Sequence, residues 1–183
     1  MDRDDFLKQI HRRVAQTSVG PSAIRNQGAS GLIEISRNYF EKTINLTEFR
    51  NKLVTDSYKD YLDKLTADLR SKFPTGGKSW GAARKGLNLF FRDVVYNKYL
   101  ADLLNIPTDY KENLKALRNL EVPLDRDVAG GLNKIFDDLP RWTTIKDLNE
   151  KQSKLFQDKA LVYADTKGIA RIHLDLEFWR SDR

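Results

Sequence analysis

Apolar positions recur at three- and four-residue spacing over most of this chain, the pattern of amphipathic helices. Ala29, Leu32, Ile33, Tyr39 and Phe40 line one face of a helix beginning near Gly28, and Leu46, Phe49, Leu53, Leu62, Leu65 and Leu69 line a longer one. Asn45 followed by Glu48 has the form of a capping box for that second helix, which Pro74, Gly76 and Gly77 end. Leu87, Phe90, Phe91, Val94 and Val95 then give a face broad enough to be largely buried, so this helix, ending before Pro107, is expected to be the spine of the core.

A shorter helix around Tyr110, Leu114 and Leu117 precedes LEVPLDRDVAGGL, where Pro123 stops one element and Asp125 is placed to cap the next, carrying Val128, Leu132, Ile135 and Phe136. Pro140 to Thr144 reads as a loop bearing Trp142, with a further helix starting near Asn149. The closing ARIHLDLEFW fits two periods: Ile172, Leu174, Leu176 and Phe178 alternate, while Ile169, Ile172, Leu176 and Trp179 share a helical face. Helix is the reading adopted, because a lone strand has no partner; a hairpin turning at Thr166 to Gly168 is the alternative. The expectation is all-α: one compact, orthogonal helical domain over residues 1–183, without repeats or linkers.

Composition narrows the chemistry. A chain of 183 residues suits one domain with a substantial core. The absence of cysteine excludes disulfides and thiolate metal sites, and His11 and His173, the only two histidines, make no recognisable ligand pair, so neither a metal nor a cofactor is expected. The opening MDRDDFLKQIHRR lacks the apolar core of a signal peptide and no later apolar run spans a bilayer, which predicts a cytoplasmic protein with no membrane partner. Basic residues exceed acidic ones by 32 to 26. The distribution says more: from Leu69 to Arg92 there is no Asp or Glu, while Arg70, Lys72, Lys78, Arg84, Lys85 and Arg92 all fall inside, a footprint suited to a phosphate backbone and also to a solvated basic loop.

Within that stretch, TGGKSWGAARKG resembles the end of a nucleotide-binding phosphate loop, but Lys72 stands where the first glycine must be, so a triphosphate cradle is excluded. The following SWGAARKGLNLFF has Gly81 where a hairpin between two helices needs it, with a helix opening immediately afterwards that offers backbone N–H groups to an anion. Here the chain resembles the helix-hairpin-helix DNA glycosylase superfamily, with the motif spanning about 69–104. Gly81 matches the first hairpin glycine, Ala83 stands in place of the second, and Lys85 falls where bifunctional members carry a nucleophilic lysine. VPLDRDVAGGL resembles the family's Pro-Val-Asp segment and aligns Asp125 with its catalytic aspartate, although Gly130 replaces a frequent arginine. AIRNQGAS resembles the start of an early helix whose glutamine, here Gln27, fills the space left by an extruded base.

The resemblance implies binding of double-stranded DNA, with Lys78, Gly81, Ala83, Arg84 and Gln27 as contacts and Lys85 and Asp125 as catalytic residues. Breaking an N-glycosidic bond develops positive charge on the sugar, which the Asp125 carboxylate would stabilise. Lys85 would attack the sugar carbon as a neutral amine, a state favoured by burial beside other cations such as Arg84. Trp80, Trp142 or Trp179 would stack on the flipped base. Each residue also has a structural role open to it: Asp125 as a helix cap, Lys85 as a solvated or phosphate-touching cation, Gln27 as a bond to its own helix terminus, the tryptophans as ordinary packing. Three functions therefore stand side by side: a glycosylase, a non-catalytic DNA-binding module that uses the hairpin as a clamp, and a helical protein–protein adaptor whose cations are only surface.

Overall fold

The computed structural model describes residues 1–24 and 27–179. The chain is all-α: among the described residues ten α-helices and one 3-10 turn occur, with no strand. None of these helices is long and apolar enough to cross a membrane. Helix α1 (Arg3–Thr17), whose start Asp2 caps through the Asp5 N–H at 2.8 Å, was not expected as an element from the apolar spacing. Its apolar positions are sparse, and only Val14 and Ala15 are buried.

Helix α2 (Leu32–Lys42) starts later than Gly28, after Gly31 in the left-handed region. The longer helix expected next is two: α3 (Leu46–Leu53), capped by Asn45 through the Glu48 N–H as the spacing predicts, and α4 (Tyr58–Lys72). The break falls at residues 54–57, where Val54 leaves the apolar face and is exposed. Likewise the helix expected to run toward Pro107 divides at Asn97 into α5 (Trp80–Tyr96) and α6 (Lys98–Leu103), because Asn97 turns its side chain to cap the amides of Tyr99 and Leu100.

Helix α5 is the spine. Thirteen of its seventeen residues are buried, so it contacts neighbours on every side. Phe90 stacks on Phe40 of α2 with centroids 4.8 Å apart, and Phe91 stacks on Phe49 of α3 at 4.3 Å. These rings belong to the larger of two apolar clusters, built mainly from α1 to α6 and closed by Leu117, Leu120 and Ile172. A second cluster joins α8 (Arg126–Ile135), α9 (Glu150–Lys167) and α10 (Leu174–Phe178), with Trp80 packed against it from the first turn of α5. Asp125 caps α8 as expected, α9 starts after Asn149 as expected with Asn149 as its cap, and the C-terminal segment is helical, a 3-10 turn at Arg171–His173 running into α10. Helix α7 (Leu114–Leu117) is a single turn leading into residues 118–125, which pass between the two clusters.

The turn before α5 departs from the expected hairpin. The chain reverses at Pro74–Ser79, with Gly76 at φ +90°, and α5 has begun by Trp80, capped by Ser79 through the Ala82 N–H at 3.1 Å. Gly81 therefore lies inside the helix. Its role is close approach: a Cβ there would stand 2.1 Å from the Ile145 carbonyl oxygen of the loop leading to α9. Gly81→Ala should accordingly cost about 1–3 kcal/mol through displacement of that loop. Urea denaturation checks this; an unchanged midpoint would show the loop free to move aside.

Candidate functional site

Residues 119–125 lie against one side of α5 and are held there by side chains in place of a strand partner. Gln157 of α9 receives the Val122 N–H at 3.1 Å and donates its amide to the Val122 carbonyl at 2.8 Å. Arg171 donates to the carbonyls of Asn119, Leu120 and Gln157. With its backbone so fixed, this segment turns two carboxylates, Glu121 and Asp125, toward consecutive residues of α5.

Glu121 receives Arg84 in a two-pronged contact, Nε at 2.8 Å and Nη2 at 2.9 Å, and accepts a third bond from Asn88 at 3.1 Å. Arg84 also reaches Thr66 and Asp63 through Nη1, and its guanidinium lies over the Trp80 ring, 5.2 Å from the centroid. Burial by itself would raise the Glu121 pKa, but the charge and hydrogen bonds of Arg84 outweigh it and hold the carboxyl below the ordinary glutamate range. Burial likewise opposes the charge on Arg84, and Glu121 with Asp63 reverses the balance and raises its pKa.

One step along the helix, Lys85 Nζ donates to Asp125 Oδ2 at 3.2 Å. The other oxygen of Asp125 accepts the N–H groups of Asp127 and Val128 at 3.0 and 3.1 Å, capping α8. The cap and the ion pair thus use different oxygens of one carboxylate and fix its plane. Lys85 is 6% exposed and Asp125 30%, so the pair opens to solvent on the aspartate side. A further acid stands near: Asp175, joined to Arg92 of α5, feels the charges of both Asp125 and Lys85. Burial pushes its carboxyl above the ordinary aspartate range against the pull of Arg92. Glu177, two residues on, turns instead to Tyr163 and Lys167.

The expected DNA contacts divide. Lys78 is exposed on the turn, together with Arg70 and Lys72, and Arg70 braces the turn by donating to the Lys78 carbonyl at 2.9 Å. Lys146 is exposed alongside, since Ser79 bonds the preceding loop at Ile145. Gln27 is buried at the foot of this turn, where Gly28 approaches Gly76 so closely that a Cβ would stand 2.6 Å from the Gly76 carbonyl oxygen. Arg25 and Asn26 of the same motif lie outside the described residues. Gly81, Ala83 and Arg84 are a correction: all three lie inside α5 and are buried, and Arg84 spends its donors on Glu121, Asp63 and Thr66. The reason is the earlier start of α5, which carries these residues past the turn and into the core.

Beside the Arg84–Glu121 contact is a cleft of about 700 Å³ walled by Trp80, Tyr58, Leu62 and Leu161, with Arg171 among its polar groups. Lys85 and Asp125 are not among its lining residues. Of the tryptophans, Trp80 faces this cleft, Trp142 packs edge-on against Phe156 at 5.8 Å, and Trp179 is 63% exposed. Glu121, Arg171 and Gln157 escaped sequence reasoning. A signal was present for the first: an acid between apolar neighbours in LEVPL calls for a buried cationic partner. No family model, curated protein or solved structure matches the chain.

Proposed function

We propose that this chain is a DNA-binding protein that cleaves an N-glycosidic bond, with Asp125 and Lys85 as its reacting groups. One observation supports the reading above others: residues 40 positions apart, each singled out by a separate short motif, meet at 3.2 Å in the seam between the two apolar clusters. In the reaction the bond from C1′ to the base nitrogen breaks, its electron pair leaves with the base, and the fixed Asp125 carboxylate faces the positive charge left on the sugar. The proton on Lys85 passes to the departing base. The freed amine bonds to C1′, the sugar ring opens with its oxygen taking up a proton, and a Schiff base results that borohydride reduces to a stable amine.

Duplexes carrying uracil, oxidised or alkylated bases, or an abasic site test this, scored for base release and for borohydride-trapped adduct. Release and adduct from at least one damaged base, with the adduct absent in Lys85→Ala, are the expected results. An ion pair that serves folding alone yields neither on any duplex.

A second reading, a clamp on the phosphate backbone without chemistry, is favoured by the exposed cations around the turn, Arg70, Lys72, Lys78 and Lys146, none of which is needed for the Lys85–Asp125 pair. Lys78→Glu with Lys146→Glu should weaken duplex binding and lower the slope of log affinity against log salt by about 0.9 for each phosphate no longer neutralised. A duplex affinity and salt slope equal to those of the wild type would remove the turn from the interface.

A further inference from the structure

Apart from the Lys85–Asp125 pair, the cleft beside Trp80 holds cations that differ in whether a carboxylate meets them. It is lined by six basic and four acidic side chains, and most of these charges are matched locally: Arg84 with Glu121, Lys59 with Glu150, Lys154 with Asp158, and, outside the lining, Arg118 with Asp165 and both Arg84 and Lys59 with Asp63. Two cations have no ion pair among the described residues, Arg171 and Lys151. One carboxylate, Asp56, is left over as well, but it is exposed and water screens it.

Arg171 is the unusual member. Its side chain is buried, it meets three backbone carbonyls and no carboxylate, and the two acids whose charge reaches it, Glu121 and Asp158, are paired with Arg84 and Lys154. Burial consequently lowers the Arg171 pKa, the reverse of the outcome at Arg84. A guanidinium has five N–H groups, of which the three carbonyl bonds take three. Two N–H donors are thus left on a buried cation at the wall of a cleft, where an anion entering it would form charge-assisted bonds.

The remaining wall describes the rest of that anion. Trp80, with the guanidinium of Arg84 over its ring, offers an aromatic surface, Leu62 and Leu161 are apolar, and Ser153 and Asn119 supply a hydroxyl and an amide. We propose that the cleft is a mononucleotide site: a phosphate monoester bound by the spare donors of Arg171, with Lys151 at the exposed rim adding its positive charge, the nucleobase against Trp80 and the sugar toward Ser153 and Asn119. The phosphate monoester can come from a free nucleotide or from the 5′-phosphorylated end of a DNA strand, which share this chemistry. The site is separate from Lys85 and Asp125 and does not rest on the glycosylase reading.

Calorimetric titration of the full chain with dAMP, dGMP, dCMP and TMP, with the matching nucleosides, and with short single strands bearing a 5′-phosphate or a 5′-hydroxyl tests the proposal. At least one monophosphate should bind and quench tryptophan emission, its nucleoside binding about tenfold more weakly for want of the charge-assisted bonds. Lys151→Ala, at an exposed position, should weaken the monophosphate and leave the nucleoside unchanged. Leu161→Trp, at a half-buried position on the cleft wall, should abolish both while the thermal transition is retained. Phosphorylated strands binding as tightly as the mononucleotide identify a strand end as the source, and binding of the mononucleotide alone identifies the free nucleotide. The proposal is overturned if no monophosphate binds, if nucleoside and monophosphate bind equally, or if binding survives Leu161→Trp in a folded protein.

Discussion

Arg84→Met is expected to destabilise the chain by about 3–5 kcal/mol, because it leaves the Glu121 carboxylate in the seam without its cation. For a chain of this size that corresponds to a fall in the thermal midpoint of roughly 10 °C. The loss should depend on pH in a definite sense. In the wild type the folded Glu121 pKa lies below its ordinary value of 4.5, so its contribution is fully present above that value and is lost as pH falls through the folded one. Without Arg84 burial is opposed only by the charge of Arg171 and the bond from Asn88, so the folded pKa rises and ionisation then costs stability as pH increases. The deficit of the variant should therefore be large near neutrality and shrink in acid. Adding Glu121→Gln to Arg84→Met should recover part of the loss at neutral pH, since an amide needs no counter-charge. Denaturant titrations at neutral and acidic pH measure both effects, and a deficit equal at the two values would mean that Arg84 matters for its packing on Trp80 and not for its charge.

Asp125→Asn separates a site from a cap. Asparagine and aspartate are comparably good at a helix N-cap, so the bonds to the amides of Asp127 and Val128 survive the change. The charge facing Lys85 does not. Folding stability should fall only by the cost of leaving the buried Lys85 ammonium without its carboxylate, about 1–3 kcal/mol, while base release falls by about 10²- to 10³-fold, the loss expected when a fixed group that stabilises developing charge is removed. Lys85→Met should abolish the trapped adduct, since no other lysine stands within bonding distance of Asp125 among the described residues. Single-turnover release assays beside urea titrations give the comparison. Base release in Asp125→Asn matching that of the wild type would leave Asp125 as a cap and nothing more.

Much of the local structure was legible because it is decided within a few residues. Apolar spacing of three and four, a capping residue such as Asn45, Asp125 or Asn149, and a stop at Pro74 act over one or two helical turns, and the helices they predict are present. The division at Asn97 was open to the same logic, since asparagine caps by competing for nearby amides. The start of α5 is a different matter. Gly81 sits near a turn in sequence, and only the approach of the Ile145 carbonyl reveals that the glycine makes room for a neighbour and that the helix has already begun.

The sequence by itself determined the helical class, the central place of residues 87–95 and the cap at Asp125, because periodicity and capping are properties of a short stretch of chain. The tertiary structure decided which cations are free: Lys78 and Lys146 face solvent, Arg84 is neutralised inside by Glu121, and Arg171 is buried against carbonyls beside a cleft. All are basic residues of similar appearance in the sequence. Their different fates follow from desolvation and from Coulomb contacts with acids on other elements, Asp63 and Glu121 for Arg84, terms that exist only once distant segments are packed together.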